Sequence, residues 1–488
     1  MNKIVAEILF HKGLKLFKDK NYSEAIVIFN KILKINPENV NSLVILSQIY
    51  KNKNNFVKYE KLLKKIIKID KNNYQSLNNL ALLYKDLNLP DEAETFFKRS
   101  IEINKKYIKA IFNLALLNEE KGNLEEAENL YATALSIEKN MPSIYFNMIR
   151  VNKNFIAKID FRHIKYISEN KNFDLKERAY AFFILAIKER CDRKINNEIK
   201  YLDIGHKLYF NSEKIFLKIN DYWINKIPSI FFKKIKYINV EITENNLSNL
   251  KPIFVIGLPR SGTTLVETLI ASQKNNIKNC GETSIFPNAI ENILSNLNLE
   301  NIKFNLTTFK KDIYERYYKI MHLKNNESIT FVDKTLENIF FIDIIKKVFP
   351  KSKIIICERN YFHNFVAIFQ QCLAGLPWTH KKDSIVKYIK NFDFLLNNLK
   401  RKKDNNIMYI QLNELANNPV YNSKKILKFC NLDWDESVLR FYERNDLNIK
   451  TASNIQIRSG ISEYDDLKFE AYKKPFAKYL KKIKSLKN

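Results

Sequence analysis

Residues 252–282 read PIFVIGLPRSGTTLVETLIASQKNNIKNCGE. Pro252-Ile253-Phe254-Val255-Ile256 is a short apolar run that suits a buried strand of a parallel sheet. Gly257 and Gly262 bound a tight turn with Pro259 and Arg260 inside it. Thr263-Thr264-Leu265 then opens a helix-periodic segment that runs to about Ala271. A glycine-bounded loop feeding a helix start gathers backbone N–H groups and the positive end of the helix dipole. Such a loop is a site for a phosphate or a similar tetrahedral oxyanion.

The spacing is G-x-x-x-x-G-T-T, whereas the loop of nucleotide-hydrolysing enzymes is G-x-x-x-x-G-K-[ST]. Thr263 stands where their lysine would reach the β- and γ-phosphates, and a fixed cation, Arg260, lies inside the loop instead. The pattern disfavours a kinase or GTPase. It suits a nucleotide with one phosphate and one further transferable oxyanion.

With 488 residues the chain is too long for one typical domain. A hydrophobic content of 45% supports real cores. The formal charge of +29 invites a nucleic-acid reading, but the lysines are spread along the chain rather than clustered. They read as solvated surface with some bias toward anionic ligands, so no specific nucleic-acid partner is expected. Five cysteines, Cys191, Cys280, Cys357, Cys372 and Cys430, are odd in number and lack metal-ligand spacing. They fit a reducing compartment. The N-terminal MNKIVAEILFHKGLKLF carries Glu7, His11 and Lys12 among its apolar positions and reads as an amphipathic helix, not a secretion signal. No apolar run is long enough for a transmembrane span. A cytoplasmic protein is expected.

Residues 1–150 repeat with a period of 34. Ala25, Tyr59, Ala93 and Ala127 share one position, and Phe29, Leu63, Phe97 and Tyr131 another. Ile35, Ile69, Ile103 and Ile137 share a third. Polar hinges such as Asn36-Pro37-Glu38-Asn39 and Lys121-Gly122-Asn123 separate the helices. This pattern resembles the tetratricopeptide repeat over about four units, the second degenerate. A repeat helix cannot bury its apolar face alone, so the units are expected to stack into an α-helical solenoid. The solenoid suits a peptide-binding or homodimerising scaffold, and equally a spacer. Residues 151–249 read as a helical extension, ending in the polar linker Asn245–Asn249.

From residue 250 to 488 the pattern changes. Apolar, β-prone runs recur at 253–256, 329–332, 354–357 and 407–410, with helical patterns between them. That alternation predicts a parallel sheet flanked by helices, with ligands at the carboxyl ends of its strands. Three runs are followed directly by polar clusters: Arg260-Ser261-Gly262-Thr263-Thr264, Asp333-Lys334 and Glu358-Arg359-Asn360.

These clusters, with Cys280-Gly281-Glu282 and Thr451-Ala452-Ser453 before Gln456-Ile457-Arg458, resemble a sulfotransferase that uses 3′-phosphoadenosine 5′-phosphosulfate. The domain is most similar to the tyrosylprotein sulfotransferases and to bacterial proteins that join tetratricopeptide repeats to such a domain. The resemblance covers roughly residues 252–480. It implies an α/β fold with a P-loop-like phosphate cradle, and transfer of a sulfuryl group to a hydroxyl of a protein, peptide, glycan or small molecule. Tyrosine is the resemblance-based acceptor. No metal is implied, because a sulfuryl group carries less charge than a phosphoryl group.

The chemistry needs a base for the acceptor proton and cations for charge on the leaving oxygen. Glu282 is the base by resemblance, since it follows Cys280-Gly281. Arg260 and Lys334 are the cations. Ser261, Gly262, Thr263 and Thr264 would hold the 5′-phosphosulfate, and Arg359 would grip the 3′-phosphate as a bidentate fork. By the same resemblance, Ser453 and Arg458 would line the nucleotide, and Lys473 or Lys474 would approach its phosphate. Asp333 orients Lys334. His363, on the helix after Arg359, reads as a helix-face residue rather than a base.

Three positions depart from the family pattern. Ala367 replaces a serine eight residues after the phosphate arginine, and Leu412 stands where a tyrosine would contact adenine. Val332 occupies the place of the cysteine that pairs with Cys280 in the animal enzymes, so that disulfide is excluded. The first two motivate a second reading: a tetratricopeptide scaffold whose α/β domain is an inactive nucleotide-binding remnant.

Overall fold

A computed structural model describes residues 2–232, 249–273, 277–296, 305–323, 327–444, 449, 451 and 453–485. Residues 245–248 of the expected linker, and Ala452, lie outside them. The chain divides into two compact units, one of residues 1–118 and 124–139, the other of residues 119–123 and 140–488.

The first unit is a run of paired helices: Asn2–Lys18 with Tyr22–Ile35, Val40–Asn52 with Phe56–Ile69, and Tyr74–Asp86 with Pro90–Ile103. The period of 34 is a packing period. Ala25, Phe29, Ala93, Phe97, Ala127 and Tyr131 are all fully buried. Small alanines let paired helices approach, and the ring one turn later fills the adjacent space. The degenerate second repeat keeps the scheme, with Tyr59 and Leu63 both buried. Local signals set the helix ends. Asn39, Asn55 and Asn73 cap three helices by accepting from the amides of Ser42, Lys58 and Ser76 at 2.9, 3.1 and 3.0 Å.

The second unit holds five strands: β1 (Leu250–Gly257), β2 (Lys278–Asn279), β3 (Ile329–Asp333), β4 (Lys353–Glu358) and β5 (Ile407–Gln411). They form one parallel sheet in the order β2-β3-β1-β4-β5. The sheet is covered on both faces, which explains its unbroken apolar runs. Alternation along β1 sends Leu250, Phe254 and Ile256 into one core, and Ile253 and Val255 into another with the Thr263–Ala271 helix. The first core also takes in Phe146, Phe183, Leu202 and Ile227, so the helices of 140–232 pack as part of this unit. The expected architecture, a tetratricopeptide solenoid followed by an α/β domain with a parallel sheet, is the one observed.

β1 is central, between β3 and β4. Its carboxyl end therefore lies beside both Asp333-Lys334 and Glu358-Arg359. β2 sits next to β3, with Asn279 opposite Val332, and brings Cys280-Gly281-Glu282 alongside Lys334. All five cysteines are free.

Candidate active site at the carboxyl edge of the sheet

The loop after β1 is built on two left-handed residues, Arg260 with φ 67° and Gly262 with φ 93°. Glycine is required at Gly257 for another reason. A Cβ there would lie 2.4 Å from Ser261 Oγ and 2.8 Å from the Cys357 carbonyl. The space it leaves holds the Ser261 hydroxyl, which is 1% exposed and has no hydrogen-bond partner among the described residues. A buried hydroxyl without a partner is costly in a closed structure. In a cradle beside a helix start, it fits a donor waiting for an anion. Thr264 Oγ1 lies 3.2 Å from Thr451 Oγ1, and the Thr263–Ala271 helix begins directly after Gly262.

Two arginines meet over this loop. Arg359 donates from Nη1 to the Arg260 carbonyl at 2.8 Å and from Nε to the Tyr464 hydroxyl at 2.6 Å. Its guanidinium stacks on the rings of Tyr464 and Phe469, at 5.1 and 5.0 Å. The Arg260 guanidinium donates to Ser453 Oγ and Gln456 Oε1. Burial, with Arg359 and Arg150 nearby, pushes Arg260 down to about 10, so it stays charged at neutral pH. Two like charges that act on each other at one loop favour an anion beside them.

At the neighbouring strand ends lies a second group. Lys334 is 1% exposed and its ammonium is paired with Glu282 Oε1. The Lys334 amide donates to the Gly281 carbonyl at 2.9 Å, which locks the two loops together. Asp333 accepts from Thr283 Oγ1, Tyr317 Oη, the Thr335 amide and Asn338 Nδ2, at 2.5, 2.7, 2.8 and 3.2 Å. A carboxylate so fully engaged fixes the loops that carry Glu282 and Lys334. Burial works against the charge on Lys334, and the Glu282 and Glu267 carboxylates overcome it, so its ammonium titrates above the ordinary lysine value.

Arg260, Ser261, Gly262, Thr263, Thr264, Ser453 and Arg359 thus gather at the loop after β1, and Glu282 and Lys334 pair at the neighbouring strand ends. Arg458 is otherwise occupied. It donates to Asn454 Oδ1 at 3.0 Å and to the Glu120 carbonyl, within the same unit, at 3.0 Å. Lys473 pairs with Glu470 at 2.6 Å. His363 stacks on Phe469 at 4.4 Å and lies 3.2 Å from Tyr464 Oη, a support for the Arg359 cluster. Leu412 packs on the loop: a Cβ on Gly262 would lie 2.6 Å from its Cδ1.

Four residues of the site escaped sequence reading. Tyr464 and Phe469 frame Arg359, but aromatic residues in an irregular tail give no local signal. Glu267 and Glu337 are carboxyls pushed up to about 7, in each case by burial above all and by the Glu282 charge. Glu267 had one signal available: it is the lone charge in Leu265–Ala271.

Residues 252–436 match the model of the sulfotransferase family, and residues 6–39, 74–107 and 108–141 match the tetratricopeptide repeat. The chain therefore carries tetratricopeptide repeats and a sulfotransferase domain. A similar curated protein is an uncharacterized protein of Aquifex aeolicus (strain VF5), 27% identical over 237 residues. The match covers 46% of this chain and 31% of that protein, so the chain spans about a third of its relative's length. Similar solved structures include pilF of Pseudomonas aeruginosa, 14% identical over 41% of this chain and 90% of that one, with a TM-score of 0.34. Another is a tetratricopeptide repeat protein from Parabacteroides merdae ATCC 43184, 17% identical over 42% and 78%, with a TM-score of 0.33.

Proposed function

We propose that the α/β domain transfers a sulfuryl group from 3′-phosphoadenosine 5′-phosphosulfate to an acceptor hydroxyl, that of a protein or peptide tyrosine recruited by the repeats. The observation that carries this reading is the buried Lys334 ammonium paired with the exposed Glu282 carboxylate, beside a glycine loop that has no nucleotide-hydrolysing lysine.

When bound, the donor supplies a sulfur that takes the acceptor oxygen while its bond to the 5′-phosphate oxygen breaks, the electron pair leaving with that oxygen. Glu282, 44% exposed at its side chain, receives the acceptor's proton. Lys334 and Arg260 provide positive charge for the leaving oxygen. Ser261, Gly262, Thr263 and Thr264 hold the phosphosulfate end, for which the unpartnered Ser261 hydroxyl and the cradle at Gly257 are suited. Arg359, already aligned by Tyr464 and Phe469, holds the 3′-phosphate, with Ser453 on the nucleotide. Arg458 is proposed to shape that wall through Asn454.

The test is transfer of labelled sulfate from the donor to tyrosine-bearing peptides. Glu282→Ala is expected to lose about 100-fold or more in rate, the usual worth of a general base. Full activity in Glu282→Ala would remove the assigned base. Leu412 against Gly262 favours a second reading, a scaffold with an inactive domain. On that reading the wild type transfers nothing, and partner capture survives Arg260→Ala and Arg359→Ala.

A further inference from the structure

The Thr263–Ala271 helix is buried at every residue. In its middle stands one carboxyl, Glu267, 2% exposed, whose Oε1 has no hydrogen-bond partner among the described residues. A leucine or methionine would pack there without the cost of burying a carboxyl. Glu267 faces the turn that carries the assigned base: a Cβ on Gly281 would lie 4.0 Å from Oε1. The charged and polar groups that act on it are Lys334 and Asp333 at the end of β3, Glu282, and the Gly281 amide.

We propose that Glu267 is a positioning residue, a second carboxylate for Lys334 that keeps the ammonium charged and in place while Glu282 takes up the acceptor's proton. This rests on the transfer reading above. Lys334 is buried, and its direct partner is the group that must be neutralised in the reaction. Once Glu282 carries a proton, a buried ammonium with no other counter-charge would lose its own proton or leave its position. Asp333 and Glu337 also act on Lys334, but four donors hold Asp333 and spread its charge, so it cannot swing in as a direct partner. Glu267 is buried against the Gly281 turn that carries Glu282, its charge acts on Lys334, and its Oε1 has no partner among the described residues.

Its titration agrees. Burial raises Glu267 to about 7, against the pull of Lys334, with Glu282 and Asp333 adding to the rise. Protonation of Glu282 removes part of that rise, so Glu267 becomes more fully ionised at the moment when Lys334 needs it.

The experiment compares wild type, Glu267→Gln and Glu267→Asp. One arm follows Lys334 itself, by the 13Cε resonance of labelled lysine against pH, assigned by its loss in Lys334→Arg. Lys334 is expected to titrate at lower pH in Glu267→Gln than in wild type. The second arm is the kcat profile. Glu267→Gln is expected to lose on the order of tenfold in kcat, well below the worth of a full acid–base group. It should also lose the acid limb near neutrality, with the donor KM unchanged, and Glu267→Asp should restore most of the rate. Unchanged Lys334 titration, or an unchanged pH profile, overturns the proposal. If wild type transfers no sulfate, the transfer reading fails and the resonance arm still decides whether Glu267 holds Lys334. If Glu267→Gln does not fold, Glu267→Met fills the same volume without a charge and serves both arms.

Discussion

At the scale of single residues, burial sets the protonation of Glu267, Glu337 and Arg260, while at Lys334 the neighbouring carboxylates outweigh it. Glu337 shows the consequence for stability. Its carboxyl is raised from 4.5 to about 7, so the folded state binds its proton more tightly than the unfolded state. The stabilisation is complete below pH 4.5 and is lost as pH rises through about 7. Glu337→Gln is therefore expected to flatten the fall in Tm over that window, measured by calorimetry at several pH values. An unchanged slope would mean that Glu337 ionises freely in the fold. Glu282, Lys334 and Arg359 were legible in the sequence because each follows an apolar β-prone run, or a motif of known order. Glu267 was not, because a charge inside a helical pattern ordinarily marks the solvent face. Here the helix has no solvent face.

At the scale of elements, the loop after β1 is held by sterics. Gly257→Ala would bring a methyl to 2.4 Å from Ser261 Oγ and 2.8 Å from a backbone carbonyl. The carbonyl cannot swing aside, so the loop must shift, at a cost of about 1–3 kcal/mol. Denaturant unfolding of Gly257→Ala should show that loss, and the shifted loop should bind the nucleotide product less tightly. A stable variant with normal binding would show that the cradle has slack. The four longer strands were legible from their apolar runs, whose Ile and Val content serves a sheet covered on both sides. β2 was not: with two residues, Lys278 and Asn279, it has no room for a pattern. Only pairing with β3 reveals it, and that pairing is what delivers Glu282 to Lys334.

At the scale of the whole molecule, two kinds of regularity coexist. The repeats declare themselves by period, because each repeat buries the same positions. Phe97, fully buried in the third helix pair, is a test of that packing. Phe97→Ala is expected to cost about 3–5 kcal/mol, read as a lower unfolding midpoint for the repeats by circular dichroism. A cost under about 1 kcal/mol would contradict the ring-beside-alanine scheme. The α/β unit declares itself by alternation and by its motifs. That the helices of 140–232 share a core with the sheet is written in no local pattern, because it depends on which apolar faces meet after folding.

The central claim, a site for a nucleotide with a 3′-phosphate and a transferable sulfuryl group, is tested most directly by calorimetric titration with adenosine 3′,5′-bisphosphate, the nucleotide left after transfer, beside ADP. Wild type should bind the bisphosphate and not ADP. Arg359→Ala should weaken that binding roughly 10–100-fold, as expected for loss of a charge-assisted hydrogen bond. Equal binding of both nucleotides, or no binding of the bisphosphate, would contradict the account.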